Sequence, residues 1–220
     1  MTPHNFVRSH TAIGHHPLVP EIRLHLASEI TPIWQATEAW LHETGTSPPF
    51  WAFAWPGSAA MARHILDNPQ TIEGRRILDF ASGCGLAAIA CAIAGAGQGA
   101  AHVEAADIDP LARAATEVNA TENDVSVEVL GDVVGAACRW DLILCGDVCY
   151  EAPMTAVILP WLRRMAASAE VWIADPGRAY LPAAGLSAIL RMTVPTSPEL
   201  EDRADRTVTL WRLDPEEGSR

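Results

Sequence analysis

Apolar and polar positions along this chain switch between two periods, one suited to strands and one to helices. RRILDF (75–80) is a short apolar run of the kind that forms a strand covered on both faces. HVEAAD (102–107), VSVEVL (125–130), DLILCG (141–146) and EVWIAD (170–175) repeat that signal. Between them lie helical stretches. Residues 57–67 read as a helix stopped by Asn68-Pro69, and 86–94 as an Ala-rich helix. Residues 110–121 carry Pro110 in the first turn and Asp109 as N-cap, and a further helix is expected over 153–167. A helix around 182–190 is expected to lead into two β-rich runs, 192–196 and 207–213, separated by a polar turn. The first fifty residues are punctuated by Pro17, Pro20, Pro32, Pro48 and Pro49. Within them Ile22, Leu24 and Leu26 alternate like a strand, although the same stretch could open a helix.

Strands alternating with helices at this spacing imply right-handed crossovers and a parallel sheet. The last two runs have no helix between them and should pair antiparallel. The expected fold is therefore α/β and Rossmann-like: a mostly parallel seven-strand sheet with an antiparallel end strand and helices on both faces.

Composition narrows the function. With 220 residues, 49% hydrophobic and 19% charged, the chain suits one globular unit rather than a disordered tail. Its 15 basic residues, all Arg, stand against 27 acidic ones, for a net charge of −12. That excess argues against a sequence-independent nucleic-acid binder and favours a cationic partner or ligand. There is no long uncharged apolar run for a membrane span, and the N-terminus lacks the features of a signal or transit peptide. The five cysteines form no CxxC pair and fall within apolar segments, which fits a reducing, cytoplasmic setting. No metal is expected: His15-His16 has no second ligand pair at metal-binding spacing.

The first predicted strand runs into Asp79-Phe80-Ala81-Ser82-Gly83-Cys84-Gly85, and Gly83-x-Gly85-x-x-Ala88 matches a nucleotide-binding glycine turn. Asp107 lies 22 residues beyond Gly85, where an acid would grip a ribose. Asp79 decides between ligands. A carboxylate beside the turn would repel a diphosphate by roughly 1–4 kcal/mol at about 4 Å. S-adenosylmethionine (AdoMet) instead carries an ammonium and a sulfonium. Asp79 then faces its amino-acid end, Asp107 its ribose, and Asp132 its adenine amino group, all three at strand C-termini where α/β sheets bind ligands. The two glycines let the backbone approach the methionine part.

These residues also carry a resemblance. The run from Asp79 to Gly85, with Asp107, is similar to the glycine motif of seven-strand Rossmann-like methyltransferases. PPFWAFAWPG (48–57), DIDPLA (107–112), WDLILCGDVCYE (140–151) and DPGR (175–178) more narrowly resemble the bacterial electron-transfer-flavoprotein β-subunit lysine methyltransferases. Phe80-Ala81 departs from the Leu-Gly common in that family, and similarity is low towards the C-terminus. The resemblance implies a protein-lysine N-methyltransferase with a domain over 55–220 and an N-terminal extension or lid over 1–54. It implies a cofactor site of Trp55, Asp79, Ser82, Gly83, Gly85, Asp107, Ile108, Asp132 and Asp147. It assigns catalysis to Asp147 and Tyr150, and substrate contact to Trp51, Tyr150 and Arg178. The implied partner is the electron transfer flavoprotein β-subunit, with ribosomal proteins as further substrates.

Other readings of single residues stand beside these. Asp147 could cap the following helix, Tyr150 could be a core ring, and the tryptophans could be core packing. Arg178 could pair with an acidic group on a protein substrate or lock Asp175. Lysine must lose a proton before it attacks a methyl group, at a cost of about 4.6 kcal/mol at pH 7. A carboxylate raises an amine's pKa, so Asp147 is expected to bind and aim the amine rather than deprotonate it. The alternatives of another class are a small-molecule N-methyltransferase acting on a nicotinamide-like nitrogen, a silent AdoMet-binding module, and a nicotinamide-dependent oxidoreductase.

Overall fold

A computed structural model describes residues 1–28, 48–95, 102–197 and 201–215. The Pro32 segment lies outside the described residues. The chain begins with helix α1 (Pro3–His10), its first turn capped by the Thr2 hydroxyl, which accepts from Asn5 N at 3.3 Å. A hairpin of β1 (Ala12–His16) and β2 (Val19–Leu26) follows. The alternation of Ile22 and Leu24 is thus that of a strand, and both residues enter the main core beside helices α2 (Pro56–Asp67) and α3 (Leu86–Gly95).

The central sheet is built from β3 (Arg76–Phe80), β4 (His102–Ala106), β5 (Glu128–Leu130), β6 (Leu142–Gly146), β7 (Glu170–Asp175), β8 (Leu186–Pro195) and β9 (Asp205–Leu213). Their order is β5-β4-β3-β6-β7-β9-β8. The first five pair in parallel, and β9 runs against both β7 and β8. The reversed strand, last in sequence of the seven, therefore sits one place in from the edge. Helices α4 (Pro110–Glu122) and α5 (Ala152–Met165) complete the layers.

The near-continuous apolar character of the inner strands follows from cover on both faces. In β6, Leu142 and Leu144 join the core under α2 and α3, while Ile143 and Cys145 join the one under α5. Strand β5 is shorter than the expected 125–130. The turn closing α4 holds Val125 N to Ala120 O, and pairing with β4 starts only at Glu128.

The expected helix around 182–190 is a correction: 186–195 is strand β8. Leu186, Ala188, Leu190 and Met192 favour a helix intrinsically, but every β8 residue except Ile189, at a bulge between Ala188 and Leu190, finds a backbone partner in β9. Tertiary pairing overrides propensity here.

Because β3 leads to β4 on one side while β6 lies on the other, the strand order reverses between β3 and β6. A crevice opens at their C-terminal ends. Asp79, Asp107, Asp132 and Asp147 lie at or just after the C-terminal ends of β3, β4, β5 and β6.

Candidate active site

Beyond β3 the chain turns sharply through three left-handed residues, Ala81 (φ 55°), Gly83 (φ 55°) and Gly85 (φ 78°). Glycine suits this region, whereas Ala81 carries a Cβ there at a cost of about 1–2 kcal/mol. A Cβ on Gly85 would also press on the Thr116 side chain of α4, so this glycine lets the turn sit against that helix.

Several amides in and just after the turn are held within the chain. Gly83 N donates to Asp107 Oδ2 (3.0 Å), Gly85 N to Ser82 O (2.8 Å) and Ala88 N to Asp79 Oδ2 (2.9 Å). A phosphate-binding loop needs such donors free to face its ligand. Asp107 uses its other oxygen to accept from Asp109 N (2.9 Å), tying the ends of β3 and β4 together. Ser82 is buried, with its amide on Ala106 O and its hydroxyl 3.3 Å from Thr116 Oγ1.

The acids differ in burial. Asp79 is only 3% exposed, and loss of water pushes its pKa to about 8, against the opposing effect of the Ala88 hydrogen bond. Burial also raises Asp107, with the Asp109 and Gly83 amides working the other way. Asp132 is exposed and accepts from Val134 N (2.9 Å). Ile108 stands next to Asp107 with its side chain 71% exposed.

Across the crevice, Asp147 follows β6 with left-handed backbone (φ 56°). Its Oδ2 accepts from Gly57 N at 2.5 Å, in the first turn of α2. Its Oδ1 accepts from Arg178 Nε (3.1 Å) and Nη2 (2.7 Å). Burial lifts its pKa to about 6, with the Arg178 charge and hydrogen bonds holding the rise down. Asp147 does not cap the next helix: Glu151 occupies the N-cap position of α5. Gly57 is fixed by contact, since a Cβ there would overlap Asp147 Oδ2 and Ala174 O.

Arg178 also grips Glu201, through Nη2 to Oε1 (2.5 Å) and Nη1 to Oε2 (3.2 Å). Arg206 Nε donates to Glu201 Oε2 (3.0 Å), so Glu201 is held between two guanidinium groups. In the structure Arg178 thus pairs with acids of its own chain, and it meets Asp175 through its backbone amide (2.6 Å). Sequence reasoning missed Glu201 and Arg206. They lie near the start of β9, and no local motif marks them.

The aromatic residues divide. Trp51 is 2% exposed and packs with Val7 of α1 and Leu111 and Val118 of α4, with its ring edge-on to Phe6. Trp55 is at the site: Nε1 donates to Phe50 O (2.8 Å), and the Arg178 guanidinium carbon lies 5.8 Å from its ring centre. Tyr150 is 39% exposed, its ring edge-on to Phe50 at 5.2 Å. All five cysteines are free thiols, and no helix among the described residues is long and apolar enough to cross a membrane.

Comparison with known proteins gives consistent matches. The family model described as lysine methyltransferase matches residues 26–176. The electron transfer flavoprotein beta subunit lysine methyltransferase of Xenopus laevis is 35% identical, over 97% of this chain and 87% of that protein. The Homo sapiens protein of the same name is 31% identical, over 90% and 76%. Among solved structures, a Pyrococcus abyssi tRNA (uracil-54, C5)-methyltransferase in complex with S-adenosyl-L-homocysteine superposes with a TM-score of 0.50. It is 14% identical, over 70% of this chain and 38% of that one, which speaks to the fold alone.

Proposed function

Given that this chain belongs to the lysine methyltransferase family, we propose that it methylates a lysine ε-amine of the electron transfer flavoprotein β-subunit, using AdoMet as methyl donor. One observation carries the choice of cofactor. The carboxylates of Asp107 and Asp79 hold the Gly83 and Ala88 amides, so two acids stand at the glycine turn, where they disfavour a diphosphate and favour a cation. Bound AdoMet would supply an electrophilic methyl group on a positively charged sulfur.

Asp79, Ser82, Gly83, Gly85, Asp107, Ile108, Asp132 and Trp55 would hold the cofactor. A cation placed beside Asp79 favours its ionised form, opposing the effect of burial. Exposed Ile108 offers an apolar surface to a flat ring. Asp147 and Tyr150 serve the lysine. Asp147 is anchored on both sides, by Gly57 N and by Arg178, and presents a fixed acceptor that aims an amine rather than a mobile base. Tyr150 and Trp55 wall the entrance with aromatic faces suited to a cationic side chain. Phe50 leans on Tyr150, so the N-terminal extension contributes to the substrate mouth. The place of work is the cytoplasm.

The test is intact-mass analysis of purified β-subunit after incubation with the protein and AdoMet. One or more added methyl groups are expected, and an unchanged mass overturns the proposal. Asp147→Asn keeps an acceptor for Gly57 N and suits the left-handed backbone. It is expected to lower the transfer rate by about 100-fold or more, with AdoMet affinity by calorimetry staying within a few-fold.

A further inference from the structure

Asp175 ends β7 one strand over from Asp147, and the two are neighbours: Gly146 pairs with Ala174, and Asp147 N donates to Ala174 O at 3.0 Å. Its side chain lies on the face of β7 that carries Val171 and Ile173, which pack with Cys145 and Cys149. The residue is 1% exposed. Oδ1 is fully used, accepting from Gly177 N and Arg178 N at 2.6 Å each. Oδ2 is buried and has no hydrogen-bond partner among the described residues. A buried carboxylate oxygen left bare is costly, commonly by about 1–3 kcal/mol or more, and such groups call for a donor.

Arg178, the nearest free-standing cation in the sequence, does not supply that donor. Its side chain is turned to Asp147 and Glu201, and only its backbone amide meets Asp175. Asp147 has little capacity to spare, with two guanidinium N–H groups on Oδ1 and an amide on Oδ2. A carboxylate offers about four lone-pair positions, so three of those on Asp147 are filled. An alkylammonium brings three N–H donors. Two adjacent carboxylates, one nearly saturated and one with a bare oxygen, suit that cation better than either alone.

We infer that Asp175 Oδ2 is a second acceptor for the substrate's amine, forming with Asp147 a two-carboxylate seat for the lysine ammonium. This rests on the lysine-methylation reading and names the residue that completes its amine site. The closeness of the two acids agrees with the Asp175 charge being among the influences that raise the pKa of Asp147, after burial. Asp147 is 6% exposed and Asp175 1%, so the second acid lies a little deeper along the approach that the first already requires. A slim, unbranched side chain fits that approach.

Asp175→Asn isolates the role. The Asn carbonyl still accepts from Gly177 N and Arg178 N, so the turn is kept, while the bare oxygen becomes an NH₂ group that repels an ammonium. Two arms are measured on the full chain: steady-state methylation of the β-subunit, and calorimetric binding of n-butylammonium in the presence of S-adenosylhomocysteine. The variant is expected to melt within about two degrees of the parent, with unchanged AdoMet affinity. Its KM for the β-subunit should rise about tenfold or more, and its n-butylammonium binding should be lost. Equal behaviour of parent and variant in both arms overturns the seat, whether or not the parent methylates. If the parent fails to methylate the β-subunit while n-butylammonium binding depends on Asp175, the seat stands and the protein substrate is wrong.

Discussion

Asp79, Asp107 and Asp147 look alike in the sequence, each closing an apolar strand, yet the structure gives them different work. Asp79 clasps the first turn of α3, Asp107 ties two strand ends together, and Asp147 joins α2 to Arg178. Their placement at one sheet edge was legible, because strand ends are marked by where the apolar run stops. Their partners were not, since each depends on a loop or helix folded back from elsewhere. Asp79 leads to a pH prediction. Burial holds its folded pKa near 8 against 3.8 in a model peptide, so the native state binds the extra proton over that window. Stability from this group is fully present below about pH 4 and is lost as pH rises towards 8. Chemical denaturation of the ligand-free protein should show a decline on the order of a few kcal/mol across that range. Asp79→Asn should flatten it, and equal slopes for the two proteins would place the titration elsewhere.

At the scale of elements, the strands read most easily were those covered on both faces, β3, β4, β6 and β7, whose apolar runs have no other explanation. The first half of strand β8 escaped because it is an edge strand, largely exposed or half-exposed, whose residues Leu186 to Leu190 suit a helix until β9 pairs with them. Helix α1 escaped as well, being short and dependent on a Thr2 cap and on packing against α4. The close approach of α2 to the ends of β6 and β7 was also hidden, and it rests on two glycines, Gly57 in α2 and Gly146 in β6, where a Cβ would run into Ser58. Gly57→Ala puts a methyl group into Asp147 Oδ2 and Ala174 O. Overpacking of this kind typically costs about 1–3 kcal/mol. A matching fall in melting temperature is expected, together with transfer activity reduced beyond the loss of folded protein. A variant as stable and active as the parent would mean that α2 can shift freely.

Across the whole molecule, a net charge of −12 suits the proposed cationic cofactor and amine, and the chain itself contains no lysine to compete for the proposed site. Surface fields of this sign speed the approach of a cationic loop and are screened by salt. The kcat/KM for the β-subunit is expected to fall several-fold between roughly 20 and 300 mM ionic strength, mainly through KM. A flat response would assign recognition to short-range contacts alone.

The hairpin of β8 and β9 carries a consequence for the order in which the molecule is completed during synthesis. Asp175 pairs with Thr209, so β9 overshoots the sheet edge by four residues and brings Glu201 back over Arg178. The glycine turn and its acids are all translated by residue 132, whereas the second anchor of Arg178 emerges some seventy residues later. A nascent chain therefore passes through a stage with one half of its crevice assembled and Arg178 resting on Asp147 alone. Of the seven strands of this sheet, the one synthesised last completes the anchoring of Arg178.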